Sequence, residues 1–193
     1  MRLASLLIVP AALCLLSGST PEPATPPVPL PATPMPRSCQ VDPVSLEYLS
    51  NLLATPAPAT PAAADFQQGV PAIADDILPV HRVIFEVFAC LNAGEPARAY
   101  GLYSDDYLRR ILNHQDPASL ELLLTPSPLE RDEWTILVEI RAIRTLADGR
   151  VIATVVLDPA LIPVQKTFGF VLIAIDGRWV VDEVLDEIEF SLP

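Results

Sequence analysis

Lysine is almost missing from this chain: Lys166 stands alone, and 12 basic residues face 24 acidic ones for a formal net charge of −12. A phosphate backbone would be repelled by such a surface, and there is no basic stripe interleaved with aromatics, so nucleic-acid binding is excluded. Glycine is scarce, and no glycine-rich loop exists to cradle a phosphate. The two histidines, His81 and His114, stand apart from the three cysteines, so the residues of a Cys/His zinc site are not assembled. Calcium loops of alternating carboxylates are missing as well, and no serine lies in a nucleophile motif. No cofactor or metal is expected. The longest apolar run, Leu3 to Leu16, is about 14 residues, short of the roughly 20 that a membrane-spanning helix needs.

What is present begins with that run. Arg2, the apolar stretch and the small residues Ser17-Gly18-Ser19 have the layout of an export signal, so residues 1–19 read as a signal peptide. Cleavage after Ser19 is the favoured fate, and retention as an anchor is the other. Residues 20–64 read as a Pro/Thr/Ala-rich tether, a composition that favours extended polyproline conformation and offers little surface to bury. Such Thr/Pro clusters can carry sugars in secreted chains. Inside the tether, residues 41–53 place Leu46, Leu49, Leu52 and Leu53 at helical spacing. This is either a short helix docking on the domain that follows or a transient helix within the spacer.

The domain proper is expected over residues 77–191, enough chain for one hydrophobic core. Asp75 and Asp76 place negative charge where a helix N-terminus favours it, and Pro79 is acceptable in a first turn. Val80, Val83, Ile84, Val87, Phe88 and Leu91 then form a core-facing stripe, with His81, Arg82 and Glu86 on the solvent side. Asn92-Ala93-Gly94 ends this helix. A short helix restarts at Pro96, and Ser104 caps another over Asp105 to Asn113. His114 to Glu133 reads as irregular, with partial helix over Ser119 to Leu124.

From Trp134 the chain alternates as a half-buried strand, with Trp134, Ile136, Val138, Ile140 and Ala142 on one face. Asp148-Gly149 and Asp176-Gly177 mark two hairpin turns, giving four antiparallel strands. Val151 to Leu157 is apolar on both faces, and Gly169, in mid-strand, marks a bulge or bend. Asp182, Glu183, Asp186, Glu187 and Glu189 read as a solvated strand end that discourages edge pairing, or else as a cation or basic-partner site. The fold class is therefore α+β: N-terminal helices packed on a curved antiparallel four-stranded sheet. With the signal removed, Cys39 and Cys90 remain, and a bridge between them would close a long loop. The other reading is two independent cysteines, with Cys90 buried as a small apolar residue.

Three helical pieces before a curved meander, with Leu91-Asn92-Ala93-Gly94 and Leu102-Tyr103-Ser104-Asp105-Asp106 among the helices and Asp176-Gly177-Arg178-Trp179 near the end, resemble the nuclear transport factor 2-like superfamily over about residues 77 to 190. That resemblance implies a cone-shaped fold shared by ketosteroid isomerases, scytalone dehydratase and many non-enzymatic domains. It also resembles secreted bacterial proteins in which a Thr/Pro spacer precedes such a domain. Under it the isomerase proton donor falls on Val87 and the general base on Ile111, neither of which titrates. The dehydratase His/Asp/Tyr pattern is not evident. Candidate pocket residues are Tyr100, Tyr103, Tyr107, Trp134, Phe168, Phe170 and Trp179.

Three functions are compatible with this reading. The first is a non-catalytic extracytoplasmic domain binding a partner protein or an apolar small molecule in its concave face. The second is a lyase- or isomerase-type enzyme with a non-standard residue set, such as Glu139 or Asp182 as base. The third is a structural cell-envelope protein that self-associates, as a homodimer for example, through the outer face of its sheet.

Overall fold

The computed structural model describes residues 33–59, 69–158 and 164–185. The signal-peptide reading of residues 1–19 and much of the tether reading lie outside them. Five helices and five strands are formed: α1 (Leu46–Leu53), β1 (Val70–Pro71), α2 (Ala74–Asn92), α3 (Pro96–Tyr100), α4 (Asp105–Leu112), α5 (Pro117–Leu124), then β2 (Ile136–Thr145), β3 (Val151–Asp158), β4 (Lys166–Ile175) and β5 (Arg178–Leu185). The strands make one antiparallel meander in the order β1-β2-β3-β4-β5. The class is α+β as expected, but the sheet has five strands rather than four. The added strand is two residues long, pairing Val70 with Thr145 and Pro71 with Arg144.

α2 carries the core. Its Val80, Ile84, Val87 and Phe88 are almost fully buried and pack against Leu137, Val155, Phe170 and Leu172 of the sheet. Each such side chain contributes roughly 1.5–3 kcal/mol by leaving water. The helix begins at Ala74, with Asp75 and Asp76 in its first turn, so Pro79 sits in its second turn rather than its first. There the ring removes the amide that would bond the Asp75 carbonyl, and Asp75 is exposed, which leaves that carbonyl accessible to solvent. His81 is not on a solvent face: only 8% of it is exposed. At the far end Gly94 adopts φ +67°, and a Cβ there would lie 1.7 Å from the Ser127 carbonyl oxygen, so both conformation and space require glycine.

The sheet carries bulges, and Gly169 is not one of them. Gly169 pairs in unbroken register with Thr154. Instead β2 shifts register between Leu137 and Glu139 and again between Arg141 and Arg144, where Ala142 has φ +50°. The first shift brings both Leu137 and Ile140 to the core, which breaks the strict alternation expected from Trp134 to Ala142 and leaves Ile136 and Val138 exposed. β5 carries the third bulge, at Asp182, opposite Val171 and Leu172 of β4. At the β4–β5 turn Asp176 and Gly177 both have positive φ, the conformation that the Asp-Gly pair was read to supply. β3 is buried on both faces from Val151 to Leu157, as its two-sided apolar character requires.

The chain from Thr33 to Ala54 is packed on these elements. Cys39 and Cys90 form a disulfide. Asn92, 1% exposed, donates to the carbonyls of Pro34 and Thr135 and accepts from the Thr135 amide, so its buried amide is satisfied. Of the two readings of residues 41–53, the docking helix is the one formed. Ser45 caps α1, and Leu49 and Leu52 join Leu108, Leu112 and Leu120 in a second apolar cluster. α5 opens on Pro117 with Asp116 as its cap, so that proline starts a helix instead of limiting one. Among the described residues no helix is long and apolar enough to cross a membrane.

Candidate functional site: a groove outside the core

The side of the sheet that faces α2 is filled. Phe88 of α2 meets Phe170 of β4 with ring centroids 5.8 Å apart, and both are at most 4% exposed. Val87, the position matched to a proton donor, is 1% exposed within this core. Ile111, matched to a general base, is 40% exposed.

A hollow lies on the other side of α2. It encloses about 830 Å³ between the segment from Gln40 to Val44, the N-terminal half of α2, the α3–α4 connection and the β4–β5 turn. Val83, Leu102 and Val180 give it an apolar base, and Tyr48, Tyr100, Tyr103 and Trp179 give it aromatic walls. A second hollow of about 550 Å³, beside Arg37, Ser38 and Phe85, shares Gln40, Arg82 and Glu86 with the first. The two therefore adjoin along α2, and are together called the groove.

Local structure fixes each wall. The Val41 carbonyl accepts from Arg98 and the Val44 amide donates to the Ala97 carbonyl, which holds the first wall against α3. The Tyr48 hydroxyl donates to Asp105 at 2.5 Å, tying α1 to the first turn of α4. Burial, and then that bond, push the Tyr48 phenol up to about 12. Burial also raises Tyr100 and Tyr103, so all three phenols are neutral donors at physiological pH. Glu86 is raised by desolvation, with Arg82 opposing the shift.

The α3–α4 connection is itself held by β5. The Ser104 amide donates to the Val181 carbonyl and the Val181 amide to the Leu102 carbonyl, both at 2.8 Å, so the outer edge of β5 is paired. Asp182 is 6% exposed, accepts from the Ser104 hydroxyl and is approached by Arg110. Glu183 is also mostly buried, 3.9 Å from Arg150. Neither acid belongs to a solvated strand end, which corrects that expectation; Asp186, Glu187 and Glu189 lie outside the described residues. No cluster of potential metal ligands occurs among the described residues.

Three of the seven predicted pocket residues, Tyr100, Tyr103 and Trp179, meet in the groove. Tyr107 packs edge-on against Tyr103 at 5.4 Å with Arg110 over its ring, while Phe168 and Phe170 belong to the core. Trp134 stands apart, its indole donating to the Leu129 carbonyl. Sequence reasoning missed Gln40 to Val44 and Tyr48, which lie in a stretch whose composition reads as spacer; the i, i+3 leucines of α1 were the signal that this stretch docks. No protein-family model, curated protein or solved structure matches the chain.

Proposed function

We propose that this chain is a non-catalytic extracytoplasmic binding domain of the nuclear transport factor 2-like kind, and that its ligand, a partner protein segment or an apolar small molecule, occupies the groove along α2. The observation that carries this reading is the contrast between the two sides of α2. One side is packed with hydrocarbon, Val87 at the resembled proton-donor position included; the other leaves aromatic and apolar surface open, with Leu78 64% exposed and Tyr48 40% exposed. The Cys39–Cys90 bridge suits an oxidising compartment, in keeping with an export signal at residues 1–19. As for the enzyme alternative, Asp182 is engaged by Ser104 and Arg110, and Glu139 pairs with Arg141 at 3.4 Å, so neither is poised as a base.

Titration with the apolar dye anilinonaphthalene sulfonate tests the binding site. Leu78→Asp and Trp179→Ala should each weaken dye binding about tenfold, the equivalent of about 1.4 kcal/mol. Unchanged affinity in both variants would remove the groove from consideration.

Exposed Ile136 and Val138 on β2 favour self-association as a second reading. Light scattering that finds a monomer at all concentrations eliminates it.

A further inference from the structure

The two hollows adjoin along α2, with Phe85 beside one and Tyr48, Tyr100, Tyr103 and Trp179 around the other, so an extended peptide could cross both. Proline-rich segments in the polyproline conformation dock on such aromatic-lined grooves because the peptide is already extended and loses little entropy. This chain carries a segment of that kind: residues 20–32, outside the described residues, contain Pro21, Pro23, Pro26, Pro27, Pro29 and Pro31, with Val28 and Leu30 between the last three. We propose that residues 20–32 dock in the groove of their own molecule as an extended polyproline strand; this rests on the groove being a binding site.

Three observations favour this occupant. First, reach: the segment joins the described chain at Thr33, next to Pro34, whose carbonyl is held by Asn92 at the end of α2. From Asn92 back to Pro79 the helix spans about 20 Å at 1.5 Å per residue. Thirteen residues of polyproline strand reach about 40 Å at about 3.1 Å each. Second, apolar content: Val28 and Leu30 offer side chains to the aromatic hollows, whereas the other proline-rich stretch, residues 55–64, has only Ala and Thr between its prolines. Third, charge: the sole charged residue of the segment is Glu22, and the groove presents Arg178, which has no ion-pair partner among the described residues. A short covalent connection of this sort holds the segment near the groove at an effective concentration in the millimolar range.

The test uses the full chain carrying Trp134→Phe, so that Trp179 is the one indole reporting. Replacing the prolines of residues 20–32 with serine should raise acrylamide quenching of Trp179 about two-fold, and a synthetic peptide of residues 20–32 should reverse this at millimolar concentration, a scrambled peptide not. Quenching indifferent to those prolines overturns the proposal. So does quenching that responds instead to serine at Pro56, Pro58 and Pro61. Dye binding to the groove combined with indifferent quenching would overturn this occupant alone and leave the binding site standing; loss of dye binding as well would end both.

Discussion

The hydroxyl of Ser104 donates to the carboxylate of Asp182 at 2.6 Å, with both residues buried, and the same oxygen accepts from the Tyr107 amide as the cap of α4. One side chain thus joins the start of α4 to the bulge of β5, and Arg110 completes the link by donating to the Asp182 carbonyl. The α3–α4 connection, which forms a wall of the groove, is set by this junction.

Ser104→Ala therefore removes a cap and leaves a buried carboxylate with one partner fewer. It should cost about 1–3 kcal/mol. Asp182→Ala removes the carboxylate that accepts from Ser104 and lies 3.8 Å from Arg110, while Arg110 keeps its bond to the backbone carbonyl, and should cost about 1–3 kcal/mol. Urea denaturation measures both, and a double variant no worse than Asp182→Ala alone would show that the two residues act as a unit.

Opening the Cys39–Cys90 bridge should destabilise the fold by about 4 kcal/mol on the chain-entropy account, given the sequence separation of 51. Because the N-terminal segment also packs through Leu49 and Leu52, Cys39→Ser with Cys90→Ser should loosen residues 33–54 before the sheet. Hydrogen exchange that protects this segment equally with and without the bridge would contradict that order.

His81 gives the fold a pH dependence. Burial lowers its folded-state pKa below the ordinary 6.5. As pH falls, the unfolded chain takes up this proton first, so stability is full above about 6.5 and declines below it. The urea midpoint should drop between pH 7.5 and 5.5, and less so in His81→Gln. A slope unaltered by His81→Gln would put the titration elsewhere. Glu86, raised by burial, works in the opposite sense at lower pH, where protonation favours the fold.

Much of this architecture can be read from local signals. The apolar stripe of α2, the caps at Ser104 and Gly94 and the Asp-Gly turns each follow from one stretch of chain whose chemistry admits few alternatives. What could not be read depends on partners distant in sequence. β1 is two residues with a proline, too short to show any period. The bulge after Leu137 shifts the phase of β2 midway, so a count of alternate residues puts exposed Ile136 and Val138 on the same face as buried Ile140. His81 and Asp182 look like surface residues by type; His81 is buried nonetheless, and Asp182 is enclosed by Ser104, Arg110 and the α3–α4 connection. The groove draws its first wall from a segment whose composition reads as spacer, and the Cys39–Cys90 bridge, the bonds of Val41 and Val44 to α3 and the packing of α1 on α4 and α5 bring it there.

The central claim is that ligand binds beside α2 and not beneath it. Methyl and indole NMR shifts followed during titration with anilinonaphthalene sulfonate test this most directly. The account predicts shifts at Trp179, Leu78 and Val41 with Leu172 and Val155 unmoved; shifts centred on Leu172, Val155 and the Phe88–Phe170 contact would contradict it.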